Sequence, residues 1–361
     1  FLQMPGIKKA VIQSYGAVQI DKASGNTTIL NQIQVEHGLN DAEKAQVLIQ
    51  LMGFSLGGKK TDNSIVLSPN YKGKSKSGKP GASIGFIGFL HSFVLGSSLL
   101  ETIWLNVLTN INIESMKVLS GGLGIAPWER MPRGEDCRTA RALKKTYMGR
   151  LIPLSRFVLL KKDGLHYSEG IAHPGYAEGI EDPTVAVKRS SKKPKVIWTD
   201  PERRPWRQLT ALLSFISGDT NQYENKQIKI AIPRAQKACE TFRLWSGGLK
   251  VSNNAGEQYA VGLNDFVESD ISIESNSFGH IWVANLKQEM SDLETLAKNI
   301  YGANMGYYHS QKMDGNDQAA HSTGLFWQLC ERNFQELVNA CPSGRENDRL
   351  KLRKKYAGYA N

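Results

Sequence analysis

Ser269-Asp-Ile-Ser-Ile-Glu-Ser-Asn-Ser277 is the stretch that divides this 361-residue chain. It is polar and serine-rich, and it reads as a linker. Beyond it, Leu286, Met290, Leu293, Ala297 and Ile300 recur at three- and four-residue steps, one face of a helix. Phe326, Leu329, Cys330, Phe334, Leu337, Val338 and Cys341 repeat the pattern until Pro342 and Gly344 end it. A third helix is expected from Asn347 to Tyr356. Closely connected helices with one apolar stripe each pack as an antiparallel bundle. The expected fold class is therefore α+β: a large irregular mixed N-terminal domain, residues 1–272, followed by a C-terminal helical bundle, residues 273–361.

The N-terminal region mixes element types. Asn40 and Glu43 have capping-box spacing before Ala45, Leu48, Ile49 and Met52. Ser98 and Glu101 repeat that spacing before Ile103, Trp104, Val107 and Leu108. Pro205-Trp206 opens a helix carrying Leu209, Leu212, Leu213 and Ile216. Short strands are expected at Ile65–Leu67, Phe157–Leu160, Thr184–Val187 and Ile228–Ile232. No alternating strand–helix rhythm marks a parallel sheet.

Charge divides along the same line. Lys and Arg total 45 against 34 Asp and Glu, a net charge of +11. From Ile271 to Asn361 ten basic residues balance ten acidic ones, so the whole excess lies in the first 270 residues. A basic region of that size points to a polyanion, with nucleic acid ahead of a membrane surface. No run reaches the ~18–20 apolar residues of a membrane span. With 40% apolar and 22% charged residues, the chain is neither wholly disordered nor fibrous. Four dispersed cysteines, with no C-x-x-C pair, fit neither a zinc knuckle nor a disulfide framework, and suit a reducing cytoplasm.

Three stretches carry candidate chemistry. Gly73-Lys-Ser-Lys-Ser-Gly78-Lys79-Pro80 fits G-x-x-x-x-G-K, but Pro80 stands where a nucleotide-binding loop has the Ser or Thr that ligates magnesium. It reads better as a cationic loop. Lys74, Lys76 and Lys79 attract phosphates, while Gly78 and Gly81 let the backbone approach closely. A solvated surface loop is the bland alternative. A second cluster comprises Lys188, Arg189, Lys192, Lys193, Lys195, Arg203, Arg204 and Arg207, with Trp198 and Trp206 interleaved. Its lysines are candidate phosphate contacts, and its aromatics either stack on bases or anchor the loop. Third is a turn after Gly247-Gly248, between a helix ending near Trp245 and a strand at Tyr259–Val261. There Asn253, Asn254 and Gln258 could contact base edges, or simply form a hairpin. The seven histidines show no ligand spacing, and no G-x-S-x-G elbow presents a nucleophile, so no catalytic residue, metal or cofactor is expected.

Several stretches in order resemble one family. They are Leu39–Gly58, Gly85-Phe-Ile-Gly-Phe-Leu-His-Ser-Phe-Val-Leu-Gly96 running into Glu101–Thr109, and Pro127-Trp128-Glu129. Pro153-Leu-Ser-Arg-Phe157, Asp182-Pro-Thr-Val-Ala186 and Phe326-Trp-Gln-Leu-Cys-Glu331 follow. The set is similar to the CasA family, the large subunit of the type I-E CRISPR Cascade complex. That resemblance implies a non-catalytic subunit that binds the 5′ end region of the crRNA, target double-stranded DNA, other Cascade subunits and the helicase–nuclease.

It also implies roles for residues. The loop of Lys74, Lys76, Gly78, Lys79 and Gly81 would read the PAM from the minor groove. Lys161 or Lys162 would reach the same groove. Asn253, with Asn254 and Gln258 nearby, would be the wedge that opens the duplex, although other members carry glutamine there. Compared with the family, an N-terminal part, a last bundle helix and residues between Gly302 and Ala320 are expected to be missing. The alternatives are a generic nucleic-acid-binding subunit of another defence or repair complex, and a P-loop-like NTPase or nuclease.

Overall fold

The computed structural model describes residues 12–16, 38–53, 88–116, 119–126, 128–134, 136–151, 157–168, 182–188, 194–217, 223–250 and 266–360. In chain order the helices and strands begin with α1 (Asp41–Gly53), β1 (His91–Leu95), α2 (Leu99–Asn106), α3 (Asn110–Glu114), α4 (Arg138–Leu143) and α5 (Tyr147–Leu151). Then come β2 (Phe157–Leu160), β3 (Leu165–Ser168), β4 (Ala186–Lys188), β5 (Lys195–Val196), α6 (Leu209–Leu212), β6 (Tyr223–Asn225) and α7 (Lys226–Ala238). The chain closes with β7 (Thr241–Leu249), β8 (Phe266–Glu274), α8 (His280–Ser310), α9 (Asn316–Glu331), α10 (Phe334–Asn339) and α11 (Glu346–Gly358). The fold is α+β with a helical C-terminal region. Among the described residues, no helix is long and apolar enough to cross a membrane.

Chain contacts group into two compact units, each assembled from separate segments. The first takes residues 1–91, 107–199 and 248–266. Its helix α1 starts as its sequence dictates: Asn40 N donates to Glu43 Oε2 at 2.8 Å and Glu43 N to Asn40 Oδ1 at 3.0 Å. The buried face of α1 is Val47, Leu48 and Leu51, whereas Ala45 and Ile49 face solvent. Val47 and Leu51 pack with Tyr15, Leu165 and Tyr167, so α1 covers the β2–β3 hairpin. A second cluster, Ile113, Met116 and Leu119, closes around Leu108 and Tyr147.

The second unit takes residues 92–106, 200–247 and 267–361. Strands β1, β7 and β8 form one sheet in that order. Several elements of this unit differ from their sequence patterns. Ser269 to Ser277 is no linker: β8 runs through the expected boundary, with Val267, Ile271 and Ile273 buried, and Ser275–Ser277 forms a 3-10 turn. Polar letters concealed an alternating apolar edge, the two-residue period of a strand. Ile228–Ile232 is not a strand but part of α7. Its buried side recurs as Ile228, Ala231, Ile232 and Ala235, and Asn225 Oδ1 caps it by accepting from Ile228 N at 2.9 Å. Trp245 and Gly247-Gly248 lie inside strand β7 rather than at a helix end and a turn.

Two further differences concern the helices. Pro205–Ser217 breaks into a 3-10 turn, α6 and a second 3-10 turn, with Leu209, Leu212 and Leu213 still buried. In α2, only Leu105 is buried, and Ile103 and Trp104 are exposed. The C-terminal helices follow their periodicity closely, with Leu286, Met290, Leu293 and Ala297 inside. Helix α8 continues through Gly302 to Ser310 and α9 begins at Asn316, so most of the stretch from Gly302 to Ala320 is helical rather than an inter-helix segment. The second stripe is two helices, α9 and α10, parted at Arg332 and Asn333.

Polar contacts tie this unit together. Gln335 binds both sides of the Ser272 backbone, accepting from its N at 3.0 Å and donating to its O at 2.8 Å, which fixes β8 on α10. Glu289, 2% exposed, is held by Arg353 at 2.7 Å and Arg349 at 3.5 Å. A buried carboxylate demands such partners, since removing one leaves an uncompensated charge.

Candidate nucleic-acid interface

Two lysine-bearing hairpins in the first unit carry the candidate residues that the structure describes. Strands β2 and β3 pair antiparallel from Phe157 opposite Ser168 to Leu160 opposite Leu165, leaving residues 161–164 as the connecting loop. Lys161 N donates to Gly164 O at 2.8 Å, and the Tyr15 hydroxyl donates to Lys161 O at 2.8 Å. Burial, together with nearby Asp163 and Asp41, raises the Tyr15 pKa, so the phenol keeps the proton it donates. Glycine is required at 164, where a Cβ would lie 2.3 Å from Gln13 O. Lys161 is half-buried and Lys162 is exposed at the tip.

Strands β4 and β5 pair antiparallel with Val187 opposite Val196 and Lys188 opposite Lys195. Two like charges directly opposite each other destabilise a hairpin. Neither lysine has an ion-pair partner among the described residues. A facing pair of cations in this setting is a ready seat for an anionic oxygen between them.

The base of this hairpin is rigid. Residues 88–91 run between its two ends: His91 bridges Val185, and Phe89 bridges Trp198. Leu90 N donates to Ile197 O at 3.0 Å, and Thr199 Oγ1 to Phe89 O at 3.1 Å. Asp182 Oδ1 accepts from Thr184 N and Oγ1, and His91 Nδ1 lies 2.6 Å from Thr184 Oγ1. His91 and His166 are buried, as core histidines. Gly248 allows the closest approach, since a Cβ there would lie 2.0 Å from Thr199 Oγ1 and 2.6 Å from Phe89 O. That packing holds the strand from which residues 251–265 depart.

The basic cluster of Lys188 to Arg207 separates into two kinds of residue. Arg207 is taken up inside the second unit, stacked 3.8 Å from the Trp327 ring and 3.3 Å from Glu294. Burial lowers its pKa and Glu294 opposes that shift. Arg203 reaches Glu294 at 3.6 Å and Arg204 reaches Glu331 at 4.0 Å. Trp206 is buried against Trp327 and Phe334, an anchor rather than a stacking platform. Trp198 is 44% exposed and packs edge-on against Phe89.

Other expected site residues lie outside the described residues. These are Lys74, Lys76, Gly78, Lys79 and Gly81 of the Gly/Lys loop, Arg189, Lys192 and Lys193 of the basic cluster, and Asn253, Asn254 and Gln258 of the expected wedge. Among the described residues no three His, Cys, Asp or Glu side chains gather as a metal site. The buried thiols of Cys330 and Cys341 are pushed up to about 12 by burial. Sequence reading passed over one basic group. Arg138 and Arg141 of α4, with Lys145 just beyond it, are all exposed. Their spacing of three and four residues was its visible signal.

Comparison with known proteins places this architecture. The family described as CRISPR-associated protein Cse1 matches residues 1–360. No match is found among curated protein sequences. Among solved structures, Thermobifida fusca Cse1 is similar at 16% identity and a TM-score of 0.67, covering 91% of this chain and 65% of that one. Thermus thermophilus CasA (Cse1) is similar at 17% identity and a TM-score of 0.59, covering 90% and 65%. A chain of a CRISPR RNA-guided surveillance complex is similar at 16% identity and a TM-score of 0.52, again covering 90% and 65%. The present chain thus spans about 65% of the length of these three structures. With the family matched over residues 1–360 and the same fold in each structure, the chain belongs to the CRISPR-associated Cse1 family, the CasA family its ordered motifs resemble.

Proposed function

We propose that this chain serves as the large, non-catalytic subunit of a type I-E Cascade complex in the cytoplasm. There it would bind target duplex beside the 5′ end region of the guide RNA. The carrying observation is the β4–β5 hairpin, where Lys188 faces Lys195 on a rigid base without an ion-pair partner among the described residues. Membership of the Cse1 family and the +11 charge support the same reading.

In this reading phosphate contacts hold the duplex, and the Gly/Lys loop reads the short flanking motif in the minor groove. That groove distinguishes A·T from G·C but little more, so loop shape sets the preference. Lys162, exposed at its hairpin tip, or Lys161 reaches the same groove. Asn253, with Asn254 and Gln258, enters the opened base step and starts the R-loop. Guide pairing then reads the sequence. The helical C-terminal region packs on protein subunits, and the subunit helps recruit the helicase–nuclease.

The test is made in the assembled complex. Gly78→Asp with Lys79→Ala is expected to lower affinity for a motif-bearing duplex about tenfold or more, on the scale of ~1–3 kcal/mol per lost groove contact. Unchanged affinity overturns the loop assignment. Asn253→Ala is expected to slow duplex opening more than initial binding, and equal effects on both count against a wedge.

A further inference from the structure

We infer that Arg138, Arg141 and Lys145 form a second phosphate-contact surface of the first unit, one that takes the backbone of duplex DNA without regard to sequence. This inference rests on the nucleic-acid reading above and extends it to residues outside the lysine hairpins and the Gly/Lys loop.

Residues three apart share a helix face, so Arg138 and Arg141 lie one turn apart on α4, and Lys145 follows in the turn that ends the helix. All three side chains are exposed. Among the described residues none makes an ion pair or side-chain hydrogen bond. Asp136, an acid close in sequence, pairs with Lys144 at 3.6 Å. Arg130 and Arg133, also exposed, extend the positive field on the N-terminal side. At a rise of ~1.5 Å per residue along α4 and a little more in the turn after it, Arg138 to Lys145 spans on the order of 10 Å, and one DNA strand presents a phosphate every ~3.4 Å of axis, so these cations cover about three nucleotides.

The backbone beneath these cations is held at both ends. Cys137 caps α4, its Sγ accepting from Ala140 N at 3.3 Å. At the other end, Gly121 N donates to Lys145 O at 3.0 Å, and Tyr147 N and Met148 N donate to Gly122 O and Leu123 O, both at 3.0 Å. Gly122 and Gly124 adopt φ of +69° and +71°, the left-handed conformation that this loop needs and glycine supplies. A Cβ at Gly149 would lie 2.0 Å from Leu143 O, so α4 and α5 are locked together.

Duplex suits this surface better than a single strand. Single strands are gripped by aromatic side chains on which bases stack. Here the aromatics close in sequence, Trp128 and Tyr147, are both half-buried, and burial pushes the Tyr147 pKa up to about 12. The exposed apolar neighbours, Leu123 and Ile125, are aliphatic. What remains is a group of exposed cations on a fixed backbone, without base readout, which suits a row of phosphates.

The experiment measures binding of the full chain to a labelled duplex of about 30 base pairs across a salt series. Compared are the unsubstituted chain, Arg138→Gln/Arg141→Gln/Lys145→Gln, and Lys188→Gln/Lys195→Gln. Neutralising three contacts is expected to reduce the slope of log K against log salt by about 2 to 3, equally for motif-bearing and scrambled duplexes. An Arg138→Lys/Arg141→Lys chain is expected to keep the slope, because a phosphate accepts either charge. Melting temperatures show that each variant is folded. An unchanged slope for the triple variant overturns the stripe, and a reduced slope for the lysine pair in the same series leaves the proposed function standing. Loss confined to single-stranded RNA of guide length also overturns it. If the unsubstituted chain shows no salt-dependent affinity for duplex, the stripe and the duplex-binding reading fall together.

Discussion

Lys188 opposite Lys195 is an arrangement that folding alone does not favour, and this makes it informative at the scale of single residues. Cross-strand pairs contribute roughly 0.2–1 kcal/mol, with the sign set by charge. Lys195→Glu turns repulsion into attraction. It is therefore expected to stabilise the chain by a few tenths of a kcal/mol to about 1 kcal/mol while weakening duplex binding. Thermal melting and duplex titration on one sample check both signs. A variant that loses stability and binding together marks the pair as structural. Arg207 shows the opposite case: the same residue type in the same sequence cluster is spent on Glu294 and Trp327. Sequence cannot separate the two, because both read as basic residues near a tryptophan, and only tertiary neighbours tell them apart.

At the scale of elements, local signals were legible where chemistry is local. The Asn40–Glu43 box opens α1 as its spacing requires. The Ser98–Glu101 box is half formed: Ser98 Oγ accepts from Glu101 N at 3.2 Å, but the Glu101 carboxylate turns to Ser97 and Cys239. The Ser97 hydroxyl, then its backbone N–H, then the Cys239 thiol hold the Glu101 pKa below the ordinary carboxylate value. A lowered folded pKa stabilises above the unfolded pKa, and that contribution is lost as pH falls through the folded value. The start of α2 is thus expected to loosen on the acid side of the carboxylate range. Glu101→Gln should lower the melting temperature at neutral pH and shrink the difference between neutral and acid pH. An undiminished difference would place the acid sensitivity elsewhere.

The elements misread from sequence share a physical cause. Ile228, Ile230 and Ile232 alternate like a strand, yet Asn225 caps a helix whose buried face steps by three and four residues. Asn225 just before the apolar run was the overlooked signal. In β8 the alternation Val267, Ile271, Ile273 was present but diluted by serine and acid. Where two periods fit the same letters, packing partners decide, and those are remote in sequence.

For the whole molecule, fold class and the helical C-terminal region were legible because apolar stripes repeat over many turns, where periodicity is strongest. The assembly of each compact unit from separate segments was not, since a segment such as residues 92–106 carries no mark of its distant partners. Of the candidate interface, the lysines were legible as charge, and their facing arrangement on β4 and β5 was not. The cations singled out here, on the β4–β5 hairpin and on α4 and the turn after it, belong to the first unit, in the part of the sequence that holds the charge excess. The central claim is that this basic surface brings duplex DNA to an RNA-guided complex. The most direct measurement is duplex capture by guide RNA and the other subunits, assembled with and without this chain. The account predicts co-elution of the chain with the ribonucleoprotein and capture of motif-bearing duplex only when it is present. Equal capture without the chain, or failure of the chain to join the particle, would contradict it.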